Sequence, residues 1–600
     1  MSSPAAHPGL LRAPQAEHLI PLVLIWFVTV ATLFITSGVN TFSTDDAMRL
    51  VEVRDLLAGQ SWFDLTQYRL DPPSGVVMHW SRLIDLPLAL LIRTGATVLP
   101  IGIAEQVATI LWPTALLLAF FAGIFRLAHE LAGDTAARVA LIFAAVMAPV
   151  LQHFRSGAIQ HHNVQIVLMI WSLTFLVRMP LRRRDGAMAG LLGALSVAVG
   201  QEMVPAVATL AVIVAARWIA EGDRYARTAA AYALALAIGA IILAAATIAP
   251  ADYLTIHCDA ISIAQVGALA GGGFGLGLAA LARFNSVARR MIAAGALAAL
   301  LAAGIKFGAP QCLADPYAQL DPRLVDMWLS SVSEARDLSS VLRDLPQNVL
   351  AFFGIPLAAL VLGFIRCLGE RGESRWRWIA GTAVQAVLLL VSIWQLRGAS
   401  GANALGAAIV PAALLRMFPV SAGRPAYFGI PRAAMIAMLL LNPVSLLALG
   451  SGAAHAVVAA VPVATRHIVQ SGDSGTCQRA SDYIPLAHLP SGRMLAFIDS
   501  GPFILLESGH AVLAAPYHRN QAGNIAMLDM FLEAPAAAKI RMDQLGIDYV
   551  AFCSGAPERY RYVASAPGGL AATLSRDHVP GYLERIPLQG TDLAVYRVRH

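Results

Sequence analysis

Lysine is nearly absent from this 600-residue chain: Lys306 and Lys539 are the only two among 43 cationic side chains. That sets aside Schiff-base chemistry on lysine. It also sets aside an ATP-binding loop of the Gly-x4-Gly-Lys-Ser/Thr type, which neither lysine fits. Charge of either sign is scarce, at 13% of residues, about half the roughly 25% of a soluble domain. The five cysteines include no Cys-x-x-Cys pair, so a cysteine zinc site is unsupported. What fills the space is apolar: 57% of the chain, with a mean hydropathy of +0.64. A soluble enzyme, a disordered scaffold and a coiled coil are excluded, and an α-helical polytopic membrane protein is expected. The net charge of +6 then reads as arginine in cytoplasmic loops, with no nucleic-acid partner.

Thirteen apolar runs are candidates to cross the bilayer. The first covers 19–35. The others centre near 105–127, 135–151, 163–180, 186–200, 203–219, 228–249, 262–282, 290–308, 346–365, 378–396, 402–418 and 432–450. Met1 to His18 is short and polar and is read as cytoplasmic. Arginine clusters at 182–184, at 217, 224 and 227, at 283, 289 and 290, and at 366–377 all fall on the side of the N-terminus, as the positive-inside rule requires. The opposite side then owns two long loops, 38–104 and 309–345, and the tail. The expected organisation is a transmembrane unit over 1–465 and a small outer α/β domain over 466–600. In the tail, β-like runs at 494–498, 511–515, 548–552 and 593–598 alternate with helical stretches at 525–532 and 536–545. Cys258, Cys312, Cys477 and Cys553 lie on the outer side. Cys258–Cys312 with Cys477–Cys553 is one of three disulfide pairings open to them, beside free thiols.

The informative polar residues gather on that outer side. The first loop opens Thr44-Asp45-Asp46-Ala47-Met48-Arg49, the acidic start of an amphipathic helix. Helix capping accounts for one carboxylate and leaves the other for a metal. Further on, His79-Trp80-Ser81-Arg82 offers His79 and Arg82 to a phosphate, or serves as an interfacial anchor. The short loop Gln160-His161-His162-Asn163 supplies one metal ligand or a polar helix end. Glu202 stands at an outer turn as a supporting group. Ser331-Val332-Ser333-Glu334 lies in the second long loop, where a lone glutamate is ordinarily just solvated. Trp394-Gln395-Leu396-Arg397 ends a span in an arginine that either snorkels or binds an anion.

Together these pieces resemble the catalytic subunit of oligosaccharyltransferase and its bacterial and archaeal single-subunit relatives, glycosyltransferases of the GT-C fold. The resemblance covers the topology of most of the chain. It implies thirteen spans, two large external loops and an external C-terminal domain. It places Asp46 at the family's first-loop metal aspartate and His162 at the second ligand of its Asp-x-Asp or Asp-x-His motif. Glu334 takes the glutamate of Ser-Val-Ser-Glu, which helps bind metal and acceptor. Arg397 takes the arginine that holds the donor's pyrophosphate. Asp46 and Glu334 are the expected catalytic residues; Asp45, His79, Arg82, Gln160, His161 and Glu202 are supporting ones. The chain departs from the family twice. Gln160 stands where the family has aspartate, and no Trp-Trp pair exists to read an Asn-x-Ser/Thr acceptor.

The implied reaction moves a sugar or oligosaccharide from a polyprenyl phosphate or pyrophosphate to a protein, lipid or polysaccharide at the outer face. A divalent ion, Mn²⁺ or Mg²⁺, and Arg397 stabilise the leaving phosphate. Oxygen ligands suit either metal, and the histidine favours Mn²⁺. The expected location is a bacterial inner membrane, with a cytoplasmic N-terminus and a periplasmic tail. Two competing readings are a polytopic lipid or saccharide transporter, and a catalytically silent envelope-assembly protein of the same fold, which Gln160 keeps open. The charges gather at one surface and no internal repeat is evident, unlike the usual transporter pattern.

Overall fold

The computed structural model describes residues 16–179, 181–315, 317, 319–418, 431–460, 477 and 479–600. Of the expected polar N-terminus, Met1 to His18, residues 1–15 lie outside the described residues, as does the domain boundary at 465/466. Every one of the thirteen apolar runs coincides with helix. Among the described residues, nine helices are long and apolar enough to cross a membrane alone: Leu19–Ser37, Ile101–Ala132, Val204–Glu221, Asp223–Thr247, Ile263–Leu281, Val287–Gly308, Pro346–Gly369, Gly372–Trp394 and Gly398–Met417. Two further runs are bent pairs, Asp134–Ala144 with Ala148–Phe154 at 70° and Arg432–Leu441 with Pro443–Gly452 at 63°. The last two are short, His162–Val177 with 16 residues and Arg183–Val199 with 17. The protein is a multi-pass membrane protein of nine to eleven spans by length and composition, against thirteen expected. The difference is one of length, since His162–Val177 and Arg183–Val199 are each shorter than 18 residues.

Small residues set the closest helix contacts. A Cβ on Gly190 would lie 2.1 Å from the Tyr232 carbonyl oxygen, and one on Gly273 would lie 2.4 Å from that of Ala233. Gly273 therefore serves close helix packing, as in membrane helix pairs generally. The arginine-rich turns form one polar end of the bundle. Arg217 pairs with Glu221 at 3.0 Å and also with Glu373. Arg224 meets Glu373 at 3.1 Å, Arg178 meets Asp185 at 3.2 Å, and Arg290 donates to the Ile219 carbonyl at 3.0 Å.

The opposite end carries the two long loops and the tail. Helices Thr44–Leu57 and Arg82–Gly95 of the first loop are locked by a fully buried ionic knot. Arg49 bonds Glu52 at 3.0 Å and Asp85 at 2.7 Å, and Arg82 bonds Asp85 at 3.1 Å. Buried charges persist only when paired in this way. Strands β1 (Thr66–Gln67) and β2 (Val76–Val77) form a hairpin between the two helices.

The tail forms a five-stranded mixed sheet from β3 (Arg493–Leu495), β4 (Ala511–Val512), β5 (Tyr549–Cys553), β6 (Leu583–Ile586) and β7 (Leu593–Val598), in the order β4-β3-β5-β7-β6. Four strands fall on the expected runs, and β6 was not foreseen. Its sequence, Leu-Glu-Arg-Ile, is half polar, as an edge strand is. Helices Gln521–Leu532 and Pro535–Leu545 cover the sheet. The first loop is built into this domain. Leu70 bridges Val512 beside β4. Arg69 donates to the carbonyls of Leu505 and Ser508, and Arg54 to that of Leu506. One apolar core runs from Met48 and Trp80 to Phe497 and Phe531. Disulfides join Cys258 to Cys312 and Cys477 to Cys553; Cys367 is a buried free thiol.

Candidate active site at the outer end of the helices

Ser43 starts the Thr44–Leu57 helix through a reciprocal cap. The Asp46 backbone N–H donates to Ser43 Oγ at 3.2 Å, and the Ser43 N–H donates to Asp46 Oδ2 at 3.0 Å. The remaining capacity of Asp46 is also used. Ser43 Oγ and Arg155 donate to Oδ2 at 2.7 and 3.2 Å. The backbone N–H groups of Ile159 and Gln160 donate to Oδ1 at 2.8 and 3.2 Å. Asp46 is fully buried and staples the first outer loop to the 155–160 turn. The carboxylate of Asp46, the expected metal aspartate, is thus engaged by the cap and the turn, and Asp45 lies outside these bonds. A Ser-x-x-Asp spacing is itself the capping-box signature, and it marked the third helical residue as the committed one.

Asp45 faces a group assembled from four further elements. His161 caps the His162–Val177 helix, and the two imidazoles stand 4.4 Å apart. Glu202, in the turn between Arg183–Val199 and Val204–Glu221, accepts from His161 Nε2 at 2.8 Å. Glu334 approaches His162 Nε2 at 3.5 Å. The loop carrying Glu334 is held by backbone bonds, Arg397 N–H to the Glu334 carbonyl at 3.1 Å and Leu396 N–H to that of Arg336 at 2.8 Å. Arg397 extends its guanidinium to the Tyr317 hydroxyl at 2.9 Å and keeps a buried Nε with no partner. The structure therefore brings Asp45, His161, His162, Glu202, Glu334 and Arg397 to one place.

The electrostatics of the group are divided. Burial, with the Glu334 charge close by, pushes the Asp45 carboxyl up to about 7. Burial alone would raise Glu334 as well, but His162 outweighs it and holds Glu334 at about 2. Burial keeps the His161 ring below the usual histidine range, so its Nε2–H donates to an ionised Glu202. Two carboxylates competing for the same space are what a cation relieves.

His79, Arg82 and Gln160 stand apart from this group. Arg82 is enclosed by Asp85 and Gln60 and by the carbonyls of Glu52 and Asp64, so it holds the loop rather than facing a ligand. Gln160 is buried, with its N–H on Asp46. His79 lines a cavity of about 110 Å³ with Trp80, His257 and Arg519. It lies 4.8 Å, ring to ring, from His518. His518 and Arg519 clamp Asp259, Arg519 through two bonds of 2.8 Å and His518 through one of 2.8 Å. Burial pushes Asp259 up, but these three bonds outweigh it and hold the carboxyl well below its ordinary range. Nothing in the local sequence announces this clamp, because its partners lie 259 and 260 residues apart. Trp80 links the two regions, with Arg49 over its ring at 4.7 Å, Tyr517 at 5.3 Å and His161 at 6.4 Å.

This architecture is the GT-C fold of membrane glycosyltransferases. Its solved counterparts include the archaeal oligosaccharyltransferase AglB from Archaeoglobus fulgidus, in complex with an inhibitory peptide and a dolichol-phosphate. That structure matches with a TM-score of 0.65 and 13% identity, over 98% of this chain and 74% of that one. The A. fulgidus enzyme tethered by a disulfide to an acceptor peptide containing the NVT sequon matches at 0.63 and 13%, over 97% and 74%. Its complex with Zn and sulfate matches at 0.61 and 15%, over 96% and 73%. No family model and no curated protein matches the chain by sequence.

Proposed function

We propose that the protein is a glycosyltransferase that moves a sugar or oligosaccharide from a polyprenyl phosphate or pyrophosphate to an acceptor at the outer face of a bacterial inner membrane. The observation that carries this reading is the meeting of Asp45, His162, Glu334 and Arg397 at one end of a GT-C fold. The arginine-rich turns occupy the other end. By the positive-inside rule that end is cytoplasmic and the site periplasmic.

The residues fit a divalent ion. Carboxylate oxygens and an imidazole are the donor set of Mn²⁺ or Mg²⁺. Buried polar atoms without protein partners, among them Glu202 Oε2 and His161 Nδ1, lie beside them. Asp45, His162 and Glu334 would hold the ion by drawing together on it, since among the described residues this trio is not a group whose ligand atoms already lie within 4.8 Å of one another; Asp45 takes the role that the resemblance assigns to Asp46. The ion, when bound, supplies positive charge against the phosphate that leaves as the anomeric bond breaks. Arg397 supplies a second, fixed positive charge. Its Nε is free, and its position is set by the same turn that holds the Glu334 loop, so donor phosphate and acceptor face one preorganised surface. Tyr317 keeps the guanidinium oriented before substrate arrives. The acceptor is a protein, lipid or polysaccharide group other than a sequon read through a tryptophan pair.

The test is turnover of a radiolabelled polyprenyl-linked sugar pool in membranes holding the wild type, Asp45→Asn, Glu334→Gln or Arg397→Ala, with and without Mn²⁺. Metal-dependent loss of donor in the wild type, abolished in all three variants, is expected, and the labelled product identifies the acceptor. Equal turnover in wild type and correctly inserted variants would overturn the reading.

A further inference from the structure

The turn after the Arg183–Val199 helix carries a carboxylate that the proposed ion site does not yet use. Among the described residues, the ligand atoms of His161, His162 and Glu202 lie within 4.8 Å of one another, and only His79, Asp259 and His518 match them. In the second trio His79 Nδ1 is buried without a partner, but the carboxylate is already satisfied, since both Asp259 oxygens are held by Arg519 and one also by His518. The first is not. Glu202 Oε2, His161 Nδ1 and both amide atoms of Gln165 are buried with no hydrogen-bond partner.

Two of these unpartnered atoms, Glu202 Oε2 and Gln165 Nε2, converge beside Gly200. A Cβ there would lie 2.7 Å from Glu202 Oε2, 2.8 Å from Gln165 Nε2 and 3.1 Å from His161 Cδ2. Any side chain at 200 would fill the space. Polar atoms left bare around a space of this kind are costly unless something polar completes them.

We infer that Glu202 is a ligand of the divalent ion, delivering the acidic oxygen that position 160, a glutamine, does not offer. The inference rests on the metal-dependent reading above. Glu202 Oε1 stays bonded to His161 Nε2 at 2.8 Å, which fixes the carboxylate and leaves Oε2 free to ligate beside His162. His161 is then a positioning residue that acts through Glu202. The division also removes the difficulty of two adjacent histidines binding one ion. Supporting groups of this type orient ligands throughout metal sites.

The experiment is Mn²⁺ binding to the purified full chain in detergent, read from the electron paramagnetic resonance signal of free Mn²⁺. The proteins are the wild type, Glu202→Gln, Glu202→Asp and Glu334→Gln. Glu202→Gln is expected to weaken Mn²⁺ binding by about 10- to 100-fold, with unchanged circular dichroism, and Glu202→Asp to fall between it and the wild type. Wild-type Mn²⁺ affinity in Glu202→Gln, with binding lost in Glu334→Gln, would overturn the inference and leave the functional reading standing. A wild type that binds no Mn²⁺ would overturn both. If Glu202→Gln fails to insert, Glu202→Asp decides: intermediate affinity supports the inference, and wild-type affinity overturns it.

Discussion

Replacing Asp46 and replacing its neighbour Asp45 should do opposite things. Asp46→Ala keeps the Ser43 cap but removes the carboxylate that accepts from the Ser43 N–H and Oγ. It also strips the acceptor from two backbone N–H groups, of Ile159 and Gln160, and from Arg155. Each buried donor left bare costs about 1–3 kcal/mol. For the two buried backbone N–H groups the sum is about 2–6 kcal/mol, reduced to the extent that water reaches the turn. Asp45→Asn removes a carboxyl that burial and Glu334 already destabilise in its charged form, so the fold is unchanged or slightly firmer. The assay is thermal unfolding of both variants in detergent, followed by intrinsic fluorescence, with donor turnover measured beside it. Asp46→Ala should melt several degrees below the wild type. Asp45→Asn should melt with the wild type while donor turnover falls at least tenfold. A stable Asp46→Ala together with a destabilised but active Asp45→Asn would refute the division of roles.

Other outcomes follow from the same geometry. Asp259 has its folded pKa below its unfolded value of about 3.9 because His518 and Arg519 donate to it. Its stabilisation is therefore full above that value and is lost as pH falls below it. Acid titration of the wild type should loosen this clamp, exposing the tail to protease, whereas Asp259→Asn should show the loosening at neutral pH and little further change in acid. Gly190→Val places side-chain carbon where the Tyr232 carbonyl sits; expression and melting temperature should both drop, while Gly295→Val, whose added Cβ meets no atom within 4 Å, should leave both unchanged. Replacing Cys258 and Cys312 by serine frees the 250–262 loop from the loop that leads to Glu334. Donor KM should rise in that variant with the rest of the fold intact, as measured by circular dichroism.

The helices were legible because a bilayer demands long apolar runs, and all thirteen runs are helical. The outer gathering of His162, Glu334 and Arg397 was legible because charge at a membrane edge is costly and therefore rare. The hydrogen-bonded setting of Asp46 was not legible. It was fixed by Ser43 and by backbone donors 113 and 114 residues away, which composition does not reveal. Glu202 was visible only as a polar turn residue, since its weight comes from Gly200 leaving space and from His161 turning toward it. The Asp259 clamp and the reach of Arg69 into the tail were not legible, because both depend on which distant loops meet.

Arg54 and Arg69 find their carbonyl partners at Leu506 and Ser508, 452 and 439 residues later in the chain. At about 5–20 residues per second of synthesis, the first long loop is made some tens of seconds, up to about a minute and a half, before the segment to which it bonds. The part of the molecule that joins the first long loop to the tail is therefore completed last, from the two extremes of the chain inward. A ribosome that stalls past the helices but short of the sheet releases a protein whose membrane portion is in place and whose first loop has nothing to close upon.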